Sequence, residues 1–250
     1  MNTSNPTLGA FNRVGALGVH YNESSMMTVD GTINKAGILG VLLALAFAFT
    51  WTGLAKAAQA DVPAEAPIMI GVIGGFILAM IICFKPVAAP YLSAPYALVE
   101  GFVLAAISYP LEQMYPYIVL QAATMTIATF LGLLFAYKTG LIVVNSTFRA
   151  VIVGATMTIM FYYLAGMVGL LFNFTLPGLG FQGGWLSIGI SVVFVIVAAL
   201  NLVLDFDYIA NNAGTAPKYM EWFGAFSLLV TLVWLYIELL RLLAKMRSRN

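Results

Sequence analysis

The residues of this chain with the means to do chemistry are carboxylates set where apolar helices leave little room for charge. Between Gly184 and Met246, Asp205 and Asp207 close one apolar run, Glu221 opens the next, and Glu238 and Arg241 lie near its far end. Glu100 interrupts an earlier apolar run, with Tyr96 one turn before it. A charge in hydrocarbon costs at least ~2.5 kcal/mol even on lenient insertion scales, so such residues face a cavity, a partner or the water boundary. Two carboxyl groups on adjacent helices can share a proton, titrate in coupled steps and bind a hard cation when both ionise. The plainer alternative is a hydrated helix end whose carboxylates stabilise the terminus.

Spacing sorts these acids. Asn211, Asn212, Gly214 and Pro217 form the turn between the two runs, so the chain is expected to reverse near Ala213. Eight residues either way from Ala213 stand Asp205 and Glu221, at matched depth if both helices run to the turn. The helical step puts Ser187, Ser191, Ala198, Asn201 and Asp205 on one stripe, whereas Asp207 shares a face with Val203, Leu200 and Ile196. Asp205 is therefore expected to face the interior and Asp207 the membrane boundary. On the second run Glu221, Gly224, Thr231, Glu238 and Lys245 repeat at a spacing near 3.5 and share one broad face. Glu238 lies ~25 Å along the axis from Glu221, toward the opposite side of a bilayer and within reach of Arg241 at i+3.

The elements that carry these residues follow from composition. The chain is 62% hydrophobic and 8% charged, which makes it a polytopic, all-α membrane protein. Seven runs are long enough to cross ~30 Å of hydrocarbon, at about 36–56, 66–86, 92–110, 117–138, 148–172, 184–208 and 219–243. Pro90, Pro95 and Pro110 bracket or interrupt the third. Residues 1–33, which include the single histidine, His20, read as a cytoplasmic N-terminal tail without a cleavable signal. Residues 34–246 form the transmembrane domain and 247–250 a basic C-terminal tail. A net charge of +1 offers no general attraction to nucleic acid, and the lone Cys83 excludes an internal disulfide and any multi-cysteine metal site.

Loop charge sets the expected orientation. With the N-terminus inside, Arg13, Lys35, Lys85, Lys138, Arg149 and Lys218 are cytoplasmic, against Lys56 alone in the outer loops. Lys245, Arg247 and Arg249 then emerge outside if all seven runs span. Gly37, Gly40, Gly71, Gly74, Gly75, Gly166 and Gly169 are expected to let helices approach closely. Catalysis is not expected. The chain has no HExxH, no GxSxG, no Gly-rich phosphate loop and no His or Cys cluster, and it carries no cofactor signature.

The string NLVLDFDYI, a turn, and YMEWFGAFSLLVTLVWLYIELLRLLA resemble the Bax inhibitor-1 family, also called the transmembrane Bax inhibitor motif family, in its bacterial branch. NPTLGAFNR and PYALVEGFVLAAIS fit the same branch, so the resemblance covers essentially the whole chain. It implies seven helices, the last enclosed by two three-helix layers, and a pH-dependent calcium leak controlled by acids on the sixth and seventh helices. The sixth-helix acid matches Asp205. For the seventh, a Tyr-x-acid pattern fits Tyr219-Met220-Glu221, while Leu-Tyr-x-acid fits Glu238; depth favours the first and local similarity the second.

The reading as a whole is a proton-regulated cation leak channel in a bacterial inner membrane. Its permeant or regulatory ions are calcium and protons, and Asp205 with Glu221 is a transient calcium site. Glu238, Glu100, Asp207 and Arg241 complete the pH-sensing and ion-pathway set. A non-conducting regulator that binds another membrane protein, or a proton-coupled solute transporter, are the alternatives.

Overall fold

The structure, a computed structural model, describes residues 26–59, 65–172, 174, 176–181 and 184–248. In hydrocarbon every backbone polar group must be satisfied within the protein, so long apolar runs close their hydrogen bonds as helices. Seven α-helices follow in order among the described residues: α1 (Val29–Gln59), α2 (Glu65–Phe84), α3 (Ala89–Met114), α4 (Ile118–Lys138), α5 (Ser146–Leu171), α6 (Trp185–Asn212) and α7 (Met220–Ser248). Six are long and apolar enough to cross a membrane, and α2 is apolar over Gly71–Phe84. The third helix is continuous and longer than its proline pattern suggests, with Pro95 and Pro110 inside it. At the termini α1 begins at Val29, inside the stretch read as a tail, and α7 runs to Ser248.

α7 is the axis. It packs against α1, α3, α4 and α6, while α3 holds α1 and α2 together on one side and α6 joins α4 and α5 on the other. The last helix is thus enclosed by two three-helix layers. Its apolar faces meet Leu39, Tyr96, Leu202 and Phe206 in one continuous core, to which it contributes Phe226, Leu235 and Leu240. The outer surface, with Leu45, Phe49, Phe84 and Phe161 exposed, is apolar as a lipid-facing surface must be.

Close approach rests on fewer glycines than expected, and partly on others. Gly71, Gly75, Gly166 and Gly169 do lie against neighbours, but Gly37, Gly40 and Gly74 face open space. The tightest approach to the backbone of another helix is at Gly101, where a Cβ would stand 2.4 Å from the Leu43 carbonyl oxygen, so a side chain there would push α1 off α3.

The start of α1 is strapped to the α6–α7 connection. The Met27 amide donates to the Ala216 carbonyl at 2.8 Å, and the Gly214 amide to the Met27 carbonyl at 2.8 Å. We call this the hairpin end of the bundle, and the opposite end the Trp185 end.

Candidate functional site

Beginning at Ser227, α7 carries polar side chains at 227, 231, 234, 238, 241 and 245, a 3–4 spacing that keeps all of them on one face. α6 and α5 cover that face and answer it with polar groups of their own. The result is a seam of hydrogen bonds along most of the length of the last helix.

At the hairpin end, Glu221 is fully buried, and its carboxylate closes the start of α1. The Thr28 amide and hydroxyl donate to Glu221 Oε1 at 2.9 and 2.8 Å, and the Thr28 hydroxyl in turn accepts the Gly31 amide at 3.0 Å. In a capping box the third residue of the same helix supplies the acid; here Gly31 occupies that position and a carboxylate from α7 does its work. Lys35 Nζ pairs with Glu221 Oε2 and Lys218 Nζ lies 3.3 Å from Oε1. Lys35 also sits over the Trp222 ring, 5.6 Å from its centroid.

Asp205 lies seven residues before the end of α6, about 10 Å in from it. It accepts from Ser227 Oγ at 2.6 Å on one oxygen and from Thr231 Oγ1 at 2.6 Å on the other. No lysine or arginine among the described residues pairs with it, since the four ion pairs formed involve Glu221, Asp207 and Glu238. One turn further along, Asn201 Nδ2 donates to Thr156 Oγ1 of α5 at 2.8 Å and continues the seam.

Toward the Trp185 end, Glu238 is fully buried in a cluster with α5. Arg241 Nη1 reaches its two oxygens at 3.0 and 2.9 Å and the Tyr163 hydroxyl at 2.8 Å. Tyr163 donates to Glu238 Oε1, as does Trp234 Nε1 at 3.2 Å. Burying an ion pair removes most of its hydration, and these extra donors are what a buried carboxylate needs in exchange. Lys245, also fully buried, ends the seam.

Several sequence-based expectations change here. Asp205 and Glu221 are not partners: each carboxylate has both oxygens engaged elsewhere, so they form neither a proton-sharing pair nor a joint calcium site in this structure. Matched depth requires a turn centred at Ala213, whereas α6 continues to Asn212 and α7 starts only at Met220. The midpoint of the reversal is therefore Ala216, and the residue level with Asp205 is Ser227. Asp207 is buried rather than left at the boundary: Arg149 Nη2 of α5 meets Oδ2 at 2.6 Å and the Tyr137 hydroxyl of α4 donates to Oδ1 at 3.4 Å. Glu238 pairs with Arg241 as the i+3 spacing suggests, but it does not meet Asp205 either. Glu100 is turned toward α2, where a Cβ on Gly75 would lie 3.3 Å from its Oε1, and not toward the seam. Lys245 and Arg247 belong to α7 rather than to an emergent tail, and Arg247 reaches the Pro116 carbonyl at 2.7 Å and Gln121 Oε1 at 2.9 Å. His20 lies outside the described residues.

Sequence reasoning missed Ser227, Thr28, Lys35 and Tyr163. The 3–4 spacing on α7 was a signal for the first; the others act from helices remote in sequence and left none. Among the described residues there is no group of three or more His, Cys, Asp or Glu side chains that could hold a metal ion. A comparison with curated proteins finds no match. Residues 5–248 match the family model described as Bax inhibitor 1 like, and over nearly its whole length the chain belongs to that family.

Proposed function

We propose that this membrane protein is a pH-dependent cation leak, with calcium as its principal ion and the α5–α6–α7 seam as its route. One observation carries the reading. Among the described residues Asp205 has hydroxyl partners only, while Glu221, Glu238 and Asp207 each have a lysine or arginine. Asp205 is half-buried, and a carboxylate inside a membrane bundle without a fixed counter-ion takes either a proton or a mobile cation, depending on pH. Protonated at low pH, Asp205 needs no cation. Ionised at higher pH, it draws one, with Ser227 and Thr231 supplying neutral oxygens and water the remainder of a shell that for calcium numbers 6–8. Glu221 and Glu238 act in this reading as buried ion-pair locks at the two ends, in place of a second titrating partner. The protein is not an enzyme. In this reading the protein sits in a bacterial inner membrane, and its loop charges support an N-terminus in the cytoplasm.

The test is flux into liposomes that contain only the purified chain, measured with calcium and potassium across a pH series. Flux is expected to rise with pH and Asp205→Asn to flatten the profile, while Glu100→Gln leaves it in place. Absence of flux for any cation at every pH refutes the leak. It would favour a non-conducting regulator that binds another membrane protein, or a proton-coupled transporter if a solute gradient then moves protons.

A further inference from the structure

At the Trp185 end, Lys245 is fully buried, yet among the described residues its ammonium is bonded only to uncharged oxygens. It donates to the Gly178 carbonyl at 2.6 Å, to Ser191 Oγ at 2.6 Å and, at 3.4 Å, to the Ser187 carbonyl. The oxygens come from two separate pieces of chain. Gly178 sits in the connection between α5 and α6 with φ +94, packed so closely on Ile190 that a Cβ would stand 2.8 Å from its Cγ2. Ser187 and Ser191 are one turn apart on α6. An ammonium is a point charge with three donors, and three converging neutral oxygens are what a small monocation also takes in place of its hydration shell. Glu238, two turns before it on α7, is already held by Arg241.

We propose that the Gly178 and Ser187 carbonyls and the Ser191 hydroxyl form a cation site at the Trp185 mouth of the seam, and that Lys245 is its tethered occupant. The charge balance supports a blocking role. Each end of the seam sets two cations against one carboxylate, Lys35 and Lys218 against Glu221, and Arg241 and Lys245 against Glu238, with Asp205 as the uncompensated negative charge between them. A mobile cation approaching Asp205 from the Trp185 end must displace the Lys245 ammonium. Withdrawal of the four-carbon stem frees the oxygen site for a monocation. The identity of the route rests on the leak reading above; occupancy of the mouth by Lys245 does not.

Silver ion, a small thiol-reactive monocation, tests the mouth directly. In full-length protein reconstituted in liposomes, with Cys83→Ser to remove the native thiol, Ala198→Cys places a thiol two turns inward from Ser191 on the same face of α6, about 10 Å deeper. Silver added at the Trp185 side should modify this thiol slowly while Lys245 is present. Lys245→Met keeps the stem and removes the charge, and should speed modification by about tenfold, the scale of losing one like charge about 12 Å away at an effective dielectric constant of ~20. Lys245→Arg should stay slow. Ser191→Ala, which keeps the ammonium but removes one of its acceptors, should give an intermediate rate and decides the matter if the methionine variant does not fold. Equal rates with lysine and methionine, or with Ser191 and alanine where only that variant folds, overturn the proposal. Calcium and potassium flux on the same vesicles separates the two readings. Faster silver entry without flux in any variant refutes the leak and keeps the plugged mouth; flux with unchanged silver rates does the reverse.

Discussion

The buried Glu221 carboxylate at the hairpin end leaves no room for a side chain at position 31. A Cβ added to Gly31 would stand 2.3 Å from Glu221 Oε1, 2.4 Å from Cδ and 2.5 Å from Oε2, so Gly31→Ala has to expel the whole carboxyl group. Expulsion breaks the two Thr28 hydrogen bonds and the Lys35 ion pair together. Breaking a buried pair from one side costs about 3–5 kcal/mol. Lys35 keeps 18% of its side-chain surface exposed and can recover some hydration, which puts the expected loss near the lower limit, about 3 kcal/mol. In a Glu221→Ala background the obstacle is gone. There Gly31→Ala should be close to neutral, or stabilising by up to about 1 kcal/mol through the higher helix propensity of alanine. The double-mutant cycle, read by equilibrium unfolding in mixed detergent micelles, should therefore return a coupling of about 3–4 kcal/mol. An equal cost of Gly31→Ala in both backgrounds would show that the trans-cap does not hold α1 to α7, and would refute the reasoning.

Other expectations concern the rest of the bundle. Glu238→Gln leaves the buried Arg241 without its counter-charge and should cost about 3–5 kcal/mol, whereas Tyr163→Phe removes the two charge-assisted bonds of one hydroxyl but leaves the Glu238–Arg241 pair, and should cost about 1.5–3 kcal/mol; unfolding of the two variants in the same detergent gives the ranking. On the opposite face of α7, the Ser108 and Tyr236 hydroxyls meet at 2.8 Å in the core, and Ser108→Ala should destabilise by about 1–3 kcal/mol by leaving the tyrosine unsatisfied, with Ser108→Ala/Tyr236→Phe recovering part of the loss. Arg149 is 59% exposed on the side chain, so Arg149→Ala should cost no more than about 1 kcal/mol despite its 2.6 Å contact with Asp207. For orientation, cysteines at Thr139, beyond α4, and at Met114, at the end of α3, should label from opposite sides in cells lacking the Cys83 thiol; external labelling at Thr139 would reverse the assigned topology.

Apolar content and run length determined the class of this protein, the number of its helices and, with helical periodicity, that Asp205 faces inward along a stripe with Ser191 and Asn201. These properties are local: each run must close its own hydrogen bonds in hydrocarbon, and the 100° step places residues on faces whatever surrounds them. The i+3 contact of Glu238 with Arg241 is legible for the same reason. What covers a face is not local. The path of residues 213–219 shifts the centre of the hairpin from Ala213 to Ala216, and a three-residue shift of centre moves the residue opposite Asp205 by six, from Glu221 to Ser227. The partners of Glu221 come from α1, 186 residues away at Lys35, and the partner of Glu238 on α5 is 75 residues away at Tyr163. Ion pairs of this kind depend on which helices the packing of small and large side chains brings side by side, and no periodicity along one helix carries that information. Tertiary structure alone therefore decided that Glu221 and Asp207 are locked to cations from other helices and that Asp205 is left with hydroxyls, because a carboxylate in hydrocarbon takes whatever donor the neighbouring helix presents at its depth.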